Sequence, residues 1–230
     1  MNLVTYGVIC KSMIIRFLGE CDYLPTWQAM KAFTEKRTQD TQDEIWFLEH
    51  SKIFTLGQTA TLEHVLNPGE IPILRSDRGG QVTYHGPGQL IIYTLFNLTR
   101  HGFGVKNFVH SLETLVISLL KKYKISANAR PEAPGIYVQD AKIASLGLRI
   151  RHGCSYHGVA LNVSMDLEPF LRIRPCGQTG LPVTQISAFI SEINLVQVAR
   201  DLVDSFSDVW DVDHIDFVDA QYEKFFSATC

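Results

Sequence analysis

The stretch that decides how this chain is interpreted is Arg78-Gly-Gly-Gln-Val-Thr-Tyr-His-Gly-Pro-Gly-Gln-Leu90. It holds four glycines, a proline, a histidine and an arginine around two short apolar runs. Glycine permits positive φ angles and lets a ligand approach the backbone without meeting a Cβ atom. One interpretation is a hairpin with tight turns at Gly79-Gly80 and Gly86-Pro87-Gly88. The other is a wall of a binding site, in which exposed backbone amides, together with Arg78, Gln81 and His85, face a ligand.

Composition narrows the class of protein. With 230 residues, 46% of them hydrophobic and 20% charged, the chain is typical of a globular protein, and we expect one domain over residues 1–230. A net charge of −3 predicts no general attraction to nucleic acid, and no apolar run approaches the roughly 18 residues of a membrane span. No secretion signal is visible. Five scattered cysteines without a Cys-x-x-Cys pair favour a reducing cytoplasm and argue against disulfides or a zinc ribbon.

Hydrophobic periodicity predicts an α+β fold, with mixed sheets flanked by helices. The clearest signal is an amphipathic helix over 105–124, where apolar residues follow i, i+3, i+4, i+7 spacing. Further helices are predicted over 24–40, 193–206 and 222–226. Strands are predicted over 13–17, 44–49, 52–56, 71–74, 82–84, 90–95, 135–138, 142–150 and 156–163.

Two residues outside the glycine-rich stretch carry candidate chemistry. Cys176 lies between Pro175 and Gly177, which suits a thiol held at a turn, although most intracellular cysteines are simply buried hydrophobes. Lys142 opens an apolar strand of small residues, where it is either an edge lysine or an amine held against apolar surface with a lowered pKa. If the two meet, the ammonium favours the thiolate and the amine can carry protons.

A third candidate is His157, which precedes Gly158 in a predicted strand. It could orient a ligand, donate to an oxyanion, or satisfy a hydrogen bond in the core. A cysteine–histidine hydrolase built from His85, His157 and Cys176 is a further possibility, but no third orienting group stands at a recognisable spacing.

Three ordered segments together resemble the octanoyltransferases of lipoate synthesis, the lipoyl(octanoyl) transferases. They are residues 78–90, residues 142–148 with 157–163, and residues 166–177. The resemblance covers most of the chain and implies the fold shared by lipoate–protein ligases and biotin–protein ligases. The sequence departs from the family pattern at Gln178-Thr179, where an aliphatic residue is expected, and in residues 150–154, which lack a tryptophan.

The resemblance implies transfer of an octanoyl group from octanoyl-acyl carrier protein to a lysine of a lipoyl domain. The acceptors implied are the lipoyl domains of 2-oxo acid dehydrogenase complexes and the glycine cleavage H protein. Cys176 would carry the acyl group as a thioester and Lys142 would assist it, without ATP, metal or other cofactor. We expect a cytoplasmic monomer with no nucleic-acid or membrane partner. The implied substrate contacts are Arg78, Gly79, Gly80, Gln81, Val82, Thr83, Tyr84, His85, Ser145, Leu146, Gly147, Gly158, Val159 and Ala160, with His157 in support.

Two rival functions are also compatible with these residues. An ATP-dependent lipoate ligase has the same fold but needs no nucleophilic cysteine, so the Pro-Cys-Gly motif argues against it. A non-catalytic protein that binds acyl carriers is disfavoured because both Cys176 and Lys142 are present. A separate hypothesis concerns four arginines, which would form a basic rim that steers acidic acyl carrier protein. They are Arg149, Arg151, Arg172 and Arg174.

Overall fold

A large mixed β-sheet organises the chain, and the computed structural model describes residues 12–130, 133–174, 180–210 and 212–218. Eight strands form this sheet in the order β11-β1-β2-β6-β10-β9-β8-β7, with β11, β1 and β2 parallel and every later pairing antiparallel. Their bounds are β1 Ser12–Cys21, β2 Asp43–His50, β6 Gln89–Leu95, β7 Asn128–Ala129, β8 Ile136–Val138, β9 Ala141–Arg151, β10 Cys154–Asn162 and β11 His214–Phe217.

Helices cover both faces of the sheet. On one face lies α2 (Val105–Lys122), which buries six apolar side chains in the largest core cluster. Two shorter helices, α3 (Leu195–Val203) and α4 (Phe206–Val209), pack against α2. On the other face lies α1 (Tyr23–Lys36), which packs against β10. No helix in the described ranges is long and apolar enough to cross a membrane.

Side chains of β6, β10 and β9 alternate between these two faces. Ile92 and Val159 are opposite each other in the register and belong to the α2 core, whereas Ile91 and Ala160 pack on the α1 side. Neighbouring residues on a strand therefore pack in different layers of the protein. The candidate active site lies on the face toward α1.

A second sheet holds the glycine-rich stretch. It has the strand order β4-β3-β5, where β3 is Ile53–Leu56, β4 is Ile73–Arg75 and β5 is Val82–His85. The glycine-rich stretch thus contains a strand, with Gly80 at φ +80° in the turn before it. The N–H of Gly79 donates to the Leu148 carbonyl of β9 at 2.9 Å, which ties this small sheet to the large one.

The α+β prediction is confirmed, with differences at particular elements. The helix predicted over 24–40 ends at Lys36, since Arg37 is extended (φ −57°, ψ 141°). The helix predicted over 193–206 is divided into α3 and α4. Strands β7 and β11 were not predicted. The helix predicted over 222–226 lies outside the described residues.

Candidate active site

A cavity of about 270 Å³ lies between the glycine-rich stretch, α1 and the sheet face formed by β6, β10 and β9. Fourteen of the candidate residues named from the sequence line it: Arg78, Gly80, Gln81, Val82, Thr83, His85, Lys142, Ser145, Leu146, Gly147, His157, Gly158, Val159 and Ala160. Tyr23, Tyr93 and Ile91 are among the other lining residues. Of the remaining candidates, Gly79 and Tyr84 are outside this lining, and Cys176 lies outside the described residues.

Small residues on two paired strands shape one side of the cavity. Ser145 of β9 is opposite Ala160 of β10, and Gly147 is opposite Gly158. A Cβ atom at Gly158 would come within 2.0 Å of the Ile92 carbonyl oxygen, so only glycine fits there. The sheet is therefore indented at this point, which leaves space beneath the glycine-rich stretch.

Lys142 is buried, with 4% of its surface exposed, and it is one of the residues that line the cavity. Nζ donates to the Pro134 carbonyl at 3.1 Å and lies 5.2 Å from the centre of the Tyr137 ring. Gly135 leaves room for this side chain, because a Cβ atom there would be 2.8 Å from Lys142 Cε. An amine held between a carbonyl and an aromatic ring beside a cavity is well placed to exchange protons with a ligand.

The segment after Cys176 is attached to the backbone of Lys142. The Lys142 N–H donates to the Pro182 carbonyl at 2.8 Å, and the Thr184 N–H donates to the Lys142 carbonyl at 2.9 Å. The Asn162 amide donates to the Thr184 carbonyl at 3.0 Å. Before Cys176, the Arg174 N–H donates to the His64 carbonyl at 2.8 Å. Described residues before and after 175–179 are thus hydrogen-bonded to the rest of the fold.

Arg78 supports the glycine-rich stretch from within. Its guanidinium donates to the Thr55 carbonyl and hydroxyl at 2.6 and 2.8 Å, and to the carbonyls of Gly79 and Gln81 at 2.9 and 2.7 Å. The residue is 8% exposed. Its hydrogen-bonding capacity is therefore directed largely toward the protein backbone, and it fixes the loop that covers the cavity.

His85 joins a buried chain of hydrogen bonds. The Gln89 amide nitrogen donates to the Tyr84 carbonyl and to Asn162 Oδ1, so Gln89 Oε1 acts as an acceptor, 2.8 Å from His85 Nδ1. His85 Nδ1 therefore carries the proton, and Nε2 accepts from the Thr55 hydroxyl at 3.2 Å. Both ring nitrogens are engaged inside the protein, although the sequence suggested that His85 faces the ligand. Through Asn162, this chain reaches the segment bonded to Lys142.

Three histidines surround the buried ring of Tyr23. The Tyr23 ring stacks on those of His85 and His157, with centroids 5.7 and 6.5 Å apart, and lies 5.0 Å from His50. His50 Nε2 is hydrogen-bonded to the Tyr93 hydroxyl at 2.7 Å. Burial lowers the pKa of His50 to about 4 and holds the pKa of His85 well below its ordinary value. The cluster is therefore uncharged at neutral pH.

Asp77 is a candidate functional residue that the sequence analysis missed. It accepts hydrogen bonds from His157 Nε2 at 2.9 Å, the Tyr156 hydroxyl at 2.5 Å and Trp27 Nε1 at 2.7 Å. Burial raises its pKa, but the bonds from His157 and Tyr156 outweigh burial and leave the pKa below its ordinary value. Its position directly before Arg78 is a weak signal, since the partners of Asp77 come from α1 and β10.

His157 has a strained backbone and a fixed ring. Its φ of +61° is in the left-handed region, which costs a residue other than glycine roughly 1–3 kcal/mol. Because Nε2 donates to the Asp77 carboxylate, Nδ1 is left with a lone pair. Burial lowers the pKa of His157, and Asp77 offsets part of that effect. Strain of this kind concentrates at functional sites.

Two hydrogen-bond acceptor atoms on residues that line the cavity have no partner among the described groups. They are His157 Nδ1 and Gln81 Oε1, and both atoms are buried. A buried acceptor without a partner costs about 1–3 kcal/mol, so such atoms are rare in native proteins. Gln81 belongs to the glycine-rich stretch and His157 to β10, so the two acceptors come from different walls of one cavity.

The four arginines of the hypothesised rim differ in their partners. Arg151 forms an ion pair with Glu35 at 2.9 Å, and Arg172 forms one with Glu168 at 2.6 Å. These carboxylates offset the charge of two of the four arginines. The basic rim stays a hypothesis that rests mainly on Arg149 and Arg174.

The cavity combines a buried amine, an oriented imidazole and an apolar indentation. In the described ranges, no group of His, Cys, Asp or Glu residues is arranged to hold a metal ion. The arrangement can bind an apolar chain and move protons at one end of it.

Comparison with known proteins finds relatives that match most of this chain. Residues 22–207 match the lipoyl protein ligase A/B catalytic domain. An octanoyltransferase from Vibrio vulnificus (strain YJ016) is 51% identical over 205 residues, which are 89% of this chain and 94% of that protein.

Among solved structures, one similar fold is the bipartite lipoate protein ligase of Thermoplasma acidophilum, which was described together with its E2 lipoyl domain. Its TM-score with this chain is 0.72, at 16% identity. This match covers 94% of this chain and 90% of that chain. Biotin protein ligase from Aquifex aeolicus, in complex with biotin and ATP, gives a TM-score of 0.52 at 12% identity, covering 84% of this chain and 68% of that chain. The expected likeness to both ligase folds is confirmed.

Proposed function

This chain belongs to the octanoyltransferase family, within the lipoyl protein ligase A/B catalytic domains, and we propose that it moves an octanoyl group from octanoyl-acyl carrier protein to a lysine of a lipoyl domain. The acyl group would wait on Cys176 as a thioester, with Lys142 as its partner. The acceptors would be the lipoyl domains of 2-oxo acid dehydrogenase complexes and the glycine cleavage H protein.

The observation that carries this proposal is the position of Lys142. This residue lines the cavity, and its backbone is bonded to Pro182 and Thr184, which follow Cys176 by six and eight residues. Six residues of extended chain span at most about 20 Å, so the thiol is tethered within reach of this region. A thiol near an ammonium is favoured as the thiolate, which is the nucleophile.

The two proposed half-reactions need no ATP. In the first, the Cys176 sulfur attacks the donor thioester and the pantetheine thiol departs, so one thioester replaces another at nearly equal energy. In the second, an amine displaces the Cys176 sulfur and an amide forms, which is downhill. The octanoyl tail contributes about 5 kcal/mol if it is fully buried in the cavity, at about 0.8 kcal/mol for each carbon.

An ATP-dependent ligase is the nearest alternative, because the fold is shared with ligases. The octanoyltransferase from Vibrio vulnificus is far closer in sequence, at 51% identity, than the lipoate and biotin ligases compared above, at 16% and 12%. The guanidinium of Arg78 is also engaged with protein oxygens, so it is poorly placed to bind a nucleotide phosphate. Both points favour the transferase.

The experiment is intact mass spectrometry after mixing the protein with octanoyl-acyl carrier protein. We expect an adduct of one octanoyl group that hydroxylamine removes and that is absent in Cys176→Ala. Adding a lipoyl domain should discharge the adduct and give the octanoylated domain. A thioester adduct that persists in Cys176→Ala, or product formed only from free octanoate and ATP, would overturn the proposal.

A further inference from the structure

The cavity contains buried hydrogen-bond acceptors that an acyl chain cannot satisfy. An octanoyl tail has no hydrogen-bond donor, whereas Gln81 Oε1 and His157 Nδ1 are acceptors without a partner in the described part of the chain. Their complement is a ligand with several N–H groups. In the proposed reaction the incoming lysine amine fits this description, since an ammonium donates up to three hydrogen bonds.

We propose that Gln81 and His157 form the site that receives the amine of the acceptor lysine, with His157 as its proton acceptor and Asp77 as the positioning residue. This inference rests on the proposed function and assigns the deprotonation of the incoming lysine, in the second half-reaction, to groups other than the Cys176–Lys142 pair. The imidazole is backed by a carboxylate in the manner of other catalytic histidine–carboxylate pairs.

The hydrogen bonds around Asp77 support this assignment. Three donors fix the carboxylate, and one of them is His157 Nε2, so the ring cannot turn over without losing that bond. The left-handed backbone at His157 is retained despite its strain. The other titratable groups that face or influence His157 are Arg78 in the glycine-rich stretch, Tyr23 on α1, Tyr93 on β6, Tyr156 on β10, His50 and His85.

The proton balance of the step is complete. The lysine ammonium gives one proton to His157 Nδ1 and becomes an amine, and the imidazolium is held by the Asp77 carboxylate. The amine nitrogen then forms a bond to the thioester carbonyl carbon, and the bond from that carbon to the Cys176 sulfur breaks. A second proton leaves the nitrogen and reaches the sulfur through Lys142. His157 afterwards releases its proton to water.

The test separates the two half-reactions in single-turnover experiments. In His157→Gln, the side-chain amide can still donate to Asp77 but the Nδ1 lone pair is lost. We expect acylation by octanoyl-acyl carrier protein at a rate close to that of the wild type. Discharge to a lipoyl domain at neutral pH should be slowed about 100-fold or more. Raising the pH should shrink the deficit, because more of the lysine is then un-ionised.

Hydroxylamine supplies the decisive comparison. It is un-ionised at neutral pH and needs no base, so it should discharge the acylated wild type and His157→Gln at equal rates. Asp77→Asn should resemble His157→Gln in a weaker form. Gln81→Leu should raise the lipoyl-domain concentration needed for half-maximal discharge more than it lowers the maximal rate.

His152→Gln is the matched control, since His152 also has a left-handed backbone (φ +50°) but is exposed in the hairpin between β9 and β10. It should leave both half-reactions unchanged. Equal discharge of wild type and His157→Gln by the lipoyl domain would overturn the inference, as would slowing of hydroxylamine discharge or of acylation to the same degree. A wild-type protein that forms no acyl adduct would instead overturn the proposed function.

Discussion

The backbone of Lys142 is joined to that of Thr184, whose N–H donates to the Lys142 carbonyl at 2.9 Å. The adjoining bond from the Lys142 N–H to the Pro182 carbonyl makes the pairing reciprocal, as in a short parallel bridge. Asn162 secures the same segment through the Thr184 carbonyl. Lys142, which carries the candidate amine, is therefore bonded directly to residues 182–184, which follow the candidate thiol of Cys176 in the chain.

Replacing Asn162 with leucine tests this support. The variant leaves the Gln89 amide and the Thr184 carbonyl short of a partner, so we expect a loss of about 1–3 kcal/mol in the free energy of unfolding. Acylation by octanoyl-acyl carrier protein should slow as well, and both effects can be followed by urea unfolding and single-turnover mass spectrometry. Thr184→Val keeps the backbone bonds and should show neither effect. Unchanged acylation in a destabilised Asn162→Leu would contradict the anchoring role.

Gly135→Ala should displace the Lys142 side chain. The new Cβ atom would lie 2.8 Å from Lys142 Cε, and the φ of Gly135, +147°, is one that other residues rarely adopt. We expect a large loss of acylation rate together with a lower melting temperature. Gly102→Ala isolates the backbone effect, because Gly102 also has a positive φ (+66°) but has no atom within 4 Å of the added Cβ. That control should lose stability and keep its activity.

The sequence predicts those helices and strands whose hydrophobic pattern lies within the element itself. Helix α2 was predicted to within two residues because its buried side chains repeat with the helical period. Strand β11 was not predicted, since its stability comes from pairing with β1, about 200 residues earlier in the chain. Strand β7 has only two residues and carries no pattern of its own.

The same distinction applies to the site. The glycine-rich stretch and the small residues of β9 and β10 can be found from the sequence, because close backbone approach demands those residue types. The contributions of Tyr23, Asp77 and Asn162 depend on contacts between distant elements. The local sequence does not show what these three residues contact, although Asp77 directly precedes Arg78 and Asn162 lies within residues 157–163.

Protonation of the buried histidines should destabilise the protein in mild acid. The pKa of His50 is about 4 in the folded state against 6.5 when unperturbed, so the unfolded state takes up its proton first. The stabilisation is complete above pH 6.5 and is lost as the pH falls toward 4, by about 3 kcal/mol for His50 alone. His85 and His157 act in the same direction.

Urea unfolding at a series of pH values between about 7 and 4.5 measures this loss. His50→Gln should flatten the dependence, whereas His110→Gln, whose side chain is 79% exposed, should not. Carboxylates with lowered pKa, such as Asp77, contribute to stability above pH 3.8 and lose that contribution only below it, so they do not account for a loss in this window. A pH-independent free energy of unfolding across the window would contradict the buried neutral cluster.

Ala160 should help to set the length of acyl chain that the cavity accepts. It lies in the row formed by Ile91 and Ser145 on the indented sheet face, and it is 6% exposed. In Ala160→Leu, the side chain gains three carbon atoms and would displace about as many carbons of a bound acyl chain. The lost burial lowers the binding free energy of the octanoyl chain by about 2 kcal/mol, so octanoyl transfer should slow roughly 30-fold. Acylation from octanoyl and butyryl donors should therefore respond differently, with the butyryl rate largely kept. Ala188→Leu makes the same change at an exposed position and should alter neither rate. An equal loss with both donors in Ala160→Leu would mean that the site had collapsed, and it would refute a role for Ala160 in chain length.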